Sequence, residues 1–209
     1  MAIERSYTIP GEGWLRLDHT PGHHVRSGSV QHQAIVTLTG PPGCGKTTVC
    51  RRTVDLARSR GWRVSGLLTV PRTSDAGTAG LDIESVVSGE RLALAEERGP
   101  TDGPSTGRWH FHRRALEWGS ACLERASPTD LLVIDELGPL ELMLGQGWAN
   151  GIGILHEGKY SVAVVVVRPS LLAKFQSRLP AAGAGPLVVA ADNRDRLPQD
   201  LASRLRRPA

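Results

Sequence analysis

A glycine-rich segment near the start of the chain places the strongest constraint on the fold. Residues 40–47 read Gly-Pro-Pro-Gly-Cys-Gly-Lys-Thr, which fits the pattern G-x-x-x-x-G-K-[ST]. An apolar run, 34–38, precedes the segment, and a stretch compatible with a helix, 48–57, follows it. In such a strand–loop–helix unit the backbone N–H groups and the helix N-terminus face phosphate oxygens. The pattern predicts a phosphate-binding loop (P-loop) formed by Gly40, Pro41, Pro42, Gly43, Cys44, Gly45, Lys46, Thr47 and Thr48.

Two side chains of this loop have expected chemical roles. Lys46 brings a compact cation to the β- and γ-phosphates of a nucleotide, and we expect it to act in catalysis. The hydroxyl of Thr47 is a ligand for Mg²⁺ in loops of this kind. The sequence therefore predicts a site for a nucleoside triphosphate with Mg²⁺ as its cofactor.

A pair of acids supplies the second half of the predicted site. Residues 131–136 read Leu-Leu-Val-Ile-Asp-Glu, an apolar strand that ends in two carboxylates. Ligands bind at the carboxyl ends of strands in open α/β sheets. Asp135 is predicted to hold Mg²⁺, directly or through water. Glu136 is predicted to polarise the attacking water. The P-loop and the acids lie about 90 residues apart in the chain.

The remaining pattern predicts an α/β domain at 34–209, preceded by an N-terminal extension at 1–33 with one candidate strand at 14–17. A helix is expected from about 112 to 126, and the Gly/Pro-rich segment 97–107 is expected to be a mobile loop. An apolar strand candidate at 63–70 is followed by an alternating one at 79–87 and by a short one at 91–94, with turns between them, which suggests a β-meander between the α/β units. The strands expected after the P-loop are 63–70, 79–87, 91–94, 131–136, 162–167 and 187–190.

These motifs, with Gly-Leu-Asp-Ile at 80–83, Ile-Asp-Glu-Leu-Gly-Pro-Leu-Glu-Leu at 134–142 and Asn-Arg at 193–194, resemble the THEP-type nucleoside-triphosphatases. The resemblance covers about 34–200. It implies an α/β fold with a RecA-like core: a three-layer α/β/α sandwich with a mostly parallel central sheet and an inserted β-meander. It also implies Mg²⁺-dependent, slow hydrolysis of ATP, GTP and other nucleoside triphosphates to the diphosphate. Pro139 departs from the family, because some members carry Lys there.

Several further residues are candidates for the site. Arg168 follows the strand 162–167, which is expected beside the strand of the acid pair, so Arg168 is predicted to stabilise charge on the γ-phosphate. Arg72 matches an arginine of the family, and Glu141 is expected to orient water on Mg²⁺ or to brace the loop after the acids. Asn193 and Arg194 follow the last expected strand, where a loop would meet the base or ribose.

Composition excludes some classes of protein and leaves others open. The chain carries a net charge of +4 and 4% aromatic residues, and its basic residues are dispersed, which does not favour nucleic-acid binding. No apolar run approaches the roughly 20 residues of a membrane span. The N-terminus lacks the apolar core of a signal peptide, and the three cysteines have no metal-binding spacing, so a cytoplasmic protein is expected.

Three functions compete on the sequence alone. An acid directly after the Mg²⁺ aspartate favours hydrolysis with broad base specificity. The first alternative is a small-molecule or nucleoside kinase, with the arginines of 97–114 forming a lid. The second is a nucleotide-gated ATPase module that binds a protein partner through residues 1–33.

Overall fold

The computed structural model describes residues 34–74, 77–179 and 185–205. The strand expected at 14–17, and the segment expected to bind a partner, lie outside these residues. The division of the chain at residue 33 therefore stays a prediction.

The described strands and helices follow the predicted alternation. The strands are β1 (Ala34–Thr39), β2 (Val64–Ser74), β3 (Gly77–Ser85), β4 (Arg91–Glu96), β5 (Ser105–Thr106), β6 (Trp109–Phe111), β7 (Thr129–Leu137), β8 (Tyr160–Val167) and β9 (Leu187–Val188). The helices are α1 (Lys46–Ser59), α2 (Arg113–Glu124), α3 (Pro139–Leu142), α4 (Asn150–Glu157), α5 (Leu172–Gln176) and α6 (Leu197–Ala202), with a 3₁₀ helix at Pro169–Leu171. The segment expected as a loop at 97–107 contains the short strand β5.

Within the described part of the chain, nine strands form one sheet in the order β5-β6-β4-β3-β2-β7-β8-β1-β9. The half of the sheet from β2 to β9 is parallel, as predicted, and β8 lies between the P-loop strand β1 and the acid-pair strand β7. This order, with one strand between those two, is the RecA-like arrangement that the family resemblance implied. The meander strands β3, β4, β6 and β5 pair antiparallel and continue the same sheet.

Strand β2 joins the two halves of the sheet. Its first residues, Val64 to Leu67, pair in parallel with β7, and the stretch from Leu67 to Ser74 pairs antiparallel with β3. Gly66 has a φ of +122°, and a Cβ at this position would lie 1.8 Å from the Val133 carbonyl oxygen. Glycine is therefore required where β2 lies against β7.

Apolar side chains cover both faces of the parallel half. In β8, Val162, Val164 and Val166 pack with α1 and α6, while the alternating residues at 163, 165 and 167 pack with α2, α4 and α5. A strand buried on both faces reads as a continuous apolar run. Each fully buried valine contributes about 1.5–3 kcal/mol. These two packed faces make the predicted three-layer α/β/α sandwich. No described helix has the length and apolar character needed to cross a membrane.

Candidate active site

The P-loop turns tightly between the end of β1 and the start of α1. Gly40, Gly43 and Gly45 have φ values of 145°, 75° and 103°. A Cβ at Gly40 would lie 2.8 Å from the Val189 carbonyl oxygen, because the loop packs closely against the segment after β9. Glycine permits both this conformation and this approach.

The Lys46 side chain folds back over its own loop. Its Nζ donates to the carbonyl oxygens of Gly40 and Pro41, at 2.9 Å each. It also lies 3.8 Å from the Cys44 Sγ. The ammonium group is thus held over the loop that is predicted to contact phosphates.

Thr47 and Asp135 come together where the P-loop meets the end of β7. Asp135 is 2% exposed, and its Oδ2 has no hydrogen-bond partner among the described residues. The pKa of Asp135 is raised to about 7, mainly because the carboxyl is buried. A hydrogen bond from Thr47 lowers the pKa, and the nearby negative charge of Glu136 raises it further. The Thr69 hydroxyl donates to the Asp135 backbone carbonyl and fixes the strand end.

This donor set fits Mg²⁺. A hydroxyl and a buried carboxylate with a free oxygen are the kind of ligands that Mg²⁺ takes from a protein while keeping waters and phosphate oxygens. Within the described residues no group of three or more His, Cys, Asp or Glu side chains could hold a metal. Mg²⁺ does not need a group of that size, because it keeps several water ligands.

Glu136 and Arg168 form an ion pair. The Arg168 Nε lies 2.6 Å from the Glu136 Oε1. The pairing follows from the sheet, because β7 and β8 are neighbours, as predicted. The register between them shifts between Ile134 and Leu137, and the Asp135–Glu136 peptide bond is cis. Arg168 thus contacts the candidate base directly, which the sequence did not indicate.

The segment after β7 is braced from inside. The carboxylate of Glu141 is 3% exposed and accepts from the Gly138 N–H at 2.9 Å. Burial raises its pKa to about 7, against hydrogen bonds from backbone N–H groups that include Trp148. The Trp148 Nε1 donates to the Glu136 carbonyl oxygen at 3.0 Å. Glu141 therefore takes the bracing role, one of the two expected for it. Trp148 was not predicted, and its position in the sequence gives no sign of the contact.

The other predicted site residues bind their own surroundings. Arg72 pairs with Glu96 and with Asp82, in the meander. The Asn193 side chain accepts from the Ala190 N–H at 3.0 Å and donates to the Val188 carbonyl at 2.8 Å. Its amide therefore stabilises its own turn.

Arg194 lies beside the P-loop. Its Cδ would be 3.4 Å from a Cβ at Gly45. Of the pair predicted to meet the base or ribose, Arg194 is thus the one that lies against the predicted phosphate loop.

A buried acid ties the P-loop helix to the meander. Glu84 of β3 is 7% exposed and accepts two hydrogen bonds from Arg51 of α1, at 2.7 and 2.9 Å. The Arg91 Nε also donates to it at 2.6 Å. The pKa of Glu84 lies below its ordinary value, mainly because Arg51 donates to the carboxylate. Burial opposes this shift, and the positive charge of Arg51 and the hydrogen bond and charge of Arg91 add to it. Sequence reasoning missed Glu84, because the alternation with Leu81 and Ile83 places it on the polar face expected for this strand.

Many of these residues line one cavity of about 1400 Å³, but Arg72, Glu84, Asn193 and Arg194 are not part of its lining. The P-loop, both acids of β7 and Arg168 line one part of it. Apolar side chains of the meander and of the segment after β7 line the rest. The cavity lies at the carboxyl edge of the parallel strands, as expected for open α/β sheets.

The sheet order, the P-loop and the acid pair together define a P-loop nucleoside-triphosphate-binding protein. A family model described as NTPase matches residues 35–202. The chain belongs to this NTPase family, which confirms the resemblance drawn from the motifs.

Named relatives agree. The chain is 30% identical to the nucleoside-triphosphatase THEP1 of Methanosarcina acetivorans over 177 residues, which cover 82% of this chain and 97% of that protein. It is 32% identical to the protein of the same name from Thermofilum pendens, over 79% of this chain and 91% of the relative.

Solved structures support the fold. The crystal structure of THEP1 from the hyperthermophile Aquifex aeolicus superimposes with a TM-score of 0.62 at 22% identity, over 83% of this chain and 99% of the other. The solution structure of a human cancer-related nucleoside triphosphatase gives a TM-score of 0.58 at 22% identity, over 81% and 96%. At this identity the likeness concerns the fold alone.

Proposed function

We propose that this protein hydrolyses nucleoside 5′-triphosphates, ATP and GTP among them, to the diphosphate and phosphate in a Mg²⁺-dependent reaction in the cytoplasm. The observation that carries the proposal is the buried Asp135 carboxylate, with one oxygen unpaired among the described residues, between Thr47 and the acid Glu136. The free state of Cys44, Cys50 and Cys122 is consistent with a reducing compartment.

Thr47 and Asp135 would hold the Mg²⁺. When bound, the ion neutralises charge on the β- and γ-phosphate oxygens. Lys46 would leave the carbonyls of its loop for the same phosphates, because an ammonium binds anionic oxygens more strongly than neutral ones. Both cations favour the transition state, in which charge is spread over the transferring group.

Glu136 would take the proton of the attacking water. A bond forms between the water oxygen and the γ-phosphorus, the bond from that phosphorus to the β–γ bridging oxygen breaks, and the diphosphate leaves. Arg168 holds the Glu136 carboxylate by its Nε. Among the described residues its two terminal nitrogens make no hydrogen bond, so they could donate to a γ-phosphate oxygen, which supports the role predicted for Arg168.

Broad base specificity is part of the proposal. The P-loop would contact phosphates only, and the amide of Asn193 is engaged in its own turn. Arg194 is then the residue of the predicted pair that is left to contact the nucleoside, and a single guanidinium distinguishes bases weakly.

The test is release of phosphate from Mg-ATP without any acceptor. The purified full chain should release phosphate steadily, and Glu136→Gln should keep nucleotide binding while losing about 10²–10⁴ in rate. Glu117→Gln, an exposed acid on α2, is the matched control and should behave as the wild type. A loss below tenfold in Glu136→Gln would assign catalysis to another residue.

One observation favours the kinase alternative. The cavity is larger than the roughly 300–1,000 Å³ of ordinary small-molecule pockets, and it extends beyond the acids into the meander. If acceptor-free release is negligible and an added alcohol is phosphorylated, the kinase function replaces hydrolysis. The predicted partner module rests on residues 1–33 and stays a prediction.

A further inference from the structure

The part of the cavity lined by the meander lies outside the space that a bound nucleotide would occupy. Thr47 and Asp135 would hold the Mg²⁺ beside the terminal phosphates, so the γ end of the nucleotide would face Asp135 and β7. The nucleoside must then extend from the opposite end of the P-loop. In the sheet, β9 lies on that side of β1 and the meander lies beyond β7. The meander part of the cavity is therefore beyond the γ-phosphate.

This part has an apolar, aromatic lining. We call it the meander subsite and define it by Leu81, Leu94, Trp109, Phe111 and Trp148. Leu81 and Leu94 lie on the neighbouring strands β3 and β4, and the two aromatic residues of β6 continue the wall. Trp148 closes the side nearest the catalytic acid, where its indole nitrogen donates to the Glu136 backbone. Such walls suit a flat ring better than a phosphate chain.

A cation marks the rim of the meander subsite. Arg108 lies in the turn between β5 and β6 and also lines the cavity. Its guanidinium carbon is 4.7 Å from the centroid of the Trp109 ring. The side chain is 59% exposed, and its contact with Glu97 is long, at 3.4 Å. A guanidinium stacked on an indole is pre-organised to bind a carboxylate or phosphate with its free edge.

We propose that the meander subsite binds a small aromatic anion, with the ring against Leu81, Trp109 and Phe111 and the anionic group on Arg108. The charge at the rim selects the anion and the apolar walls select the ring. The ligand is bound at the same time as the nucleotide, on the far side of the γ-phosphate. This last placement rests on the proposed nucleotide site, whereas binding of the ring does not.

The experiment measures binding of three probes that share a naphthalene ring and carry a one-carbon head group of different charge: 2-naphthoate, 2-naphthalenemethanol and 2-naphthylmethylamine. The indole N–H signals of the full-length protein are followed by ¹H–¹⁵N correlation spectra and assigned with Trp→Phe variants. We expect saturable shifts of Trp109 and Trp148, with Trp62 and Trp118 unchanged. The anion should bind at least about threefold more tightly than the neutral probe, and the cation most weakly.

Paired variants test each contact. Arg108→Gln should weaken the anion about threefold to fivefold and leave the neutral probe unchanged, whereas Arg114→Gln, an exposed arginine of α2, should change neither. Leu81→Asn should weaken all three probes, and Leu92→Asn, a partly buried leucine of β4 outside the cavity lining, should not.

Three outcomes would overturn the proposal. One is the same affinity for all three charges, or shifts spread over every tryptophan, either of which denotes general apolar binding. The second is competition by Mg-ADP, which would mean that the nucleoside itself occupies the meander subsite. Because the probes are first titrated without nucleotide, a failure of the proposed hydrolysis leaves this result readable. Absence of probe binding in a protein that hydrolyses ATP would refute the inference alone.

Discussion

The carboxyl of Glu141 is held inside the segment after β7, and replacing it with an amide should change how stability depends on pH. Its ordinary pKa is 4.5, and burial raises it to about 7. Between these values the folded protein keeps a proton that the unfolded chain releases. Stability therefore falls as pH rises from about 4.5 through 7, and the full loss persists at higher pH.

The size of this effect follows from the two pKa values. They lie about 2.5 apart, and one pKa unit corresponds to about 1.36 kcal/mol. Ionisation of Glu141 thus costs the folded state about 3 kcal/mol above pH 7. Glu141→Gln removes the titration. The variant lacks one acceptor for the backbone N–H groups of Gly138 and Trp148, which lowers its stability by a constant amount at every pH.

The assay is urea unfolding of the wild type and Glu141→Gln from pH 5 to pH 8.5, without Mg²⁺. The difference in free energy of unfolding, variant minus wild type, should rise by about 2–3 kcal/mol across this range. The exposed Glu117→Gln should track the wild type within about 0.5 kcal/mol. A difference that stays flat with pH would show that Glu141 is ionised in the folded protein, and the account of its burial would be wrong.

Other predictions concern the loop, the sheet and the base. Lys46→Ala should lower kcat/KM for ATP at least about a hundredfold, and near-normal turnover would refute the P-loop assignment. Gly66→Ala should destabilise the fold by about 2 kcal/mol or more in urea unfolding, whereas Gly153→Ala, with open space around it, should not. Trp148→Phe should lower kcat about tenfold with little change in KM, because Glu136 loses the hydrogen bond that positions its backbone. Competition among ATP, GTP, CTP and UTP should give affinities within about tenfold, or 1.4 kcal/mol.

Most of the parallel half of the fold could be predicted from the sequence. Buried parallel strands read as short apolar runs, so 131–136 and 162–167 were found within a few residues of β7 and β8. The continuation of the sheet into the meander could not be predicted. The continuation depends on β2, which pairs with β7 up to Leu67 and with β3 from Leu67 onward. The polarity pattern of a single strand does not indicate which strands it pairs with.

The candidate site was predictable where a residue's role follows from its neighbours in the chain. Lys46, Thr47 and Asp135 carry their roles within local motifs, and the structure brings them to one cavity. The contacts of Trp148 and Glu84 join segments that are distant in sequence. Such contacts depend on how whole helices and strands pack, so no local sequence pattern predicts them.

The continuity of β2 limits how substrates can enter and leave. One wall of the cavity stands on the parallel half and the other on the meander, yet a single strand, from Val64 to Ser74, is hydrogen-bonded into both. A hinge motion that separates the two walls would break this ladder of backbone hydrogen bonds. Passage must instead depend on parts of the cavity lining that lie outside these ladders, such as the turn at Gly107 and Arg108 and the segment 138–141. The rate of turnover would then depend on the rearrangement of short segments, while the distance between the two walls of the cavity stays the same.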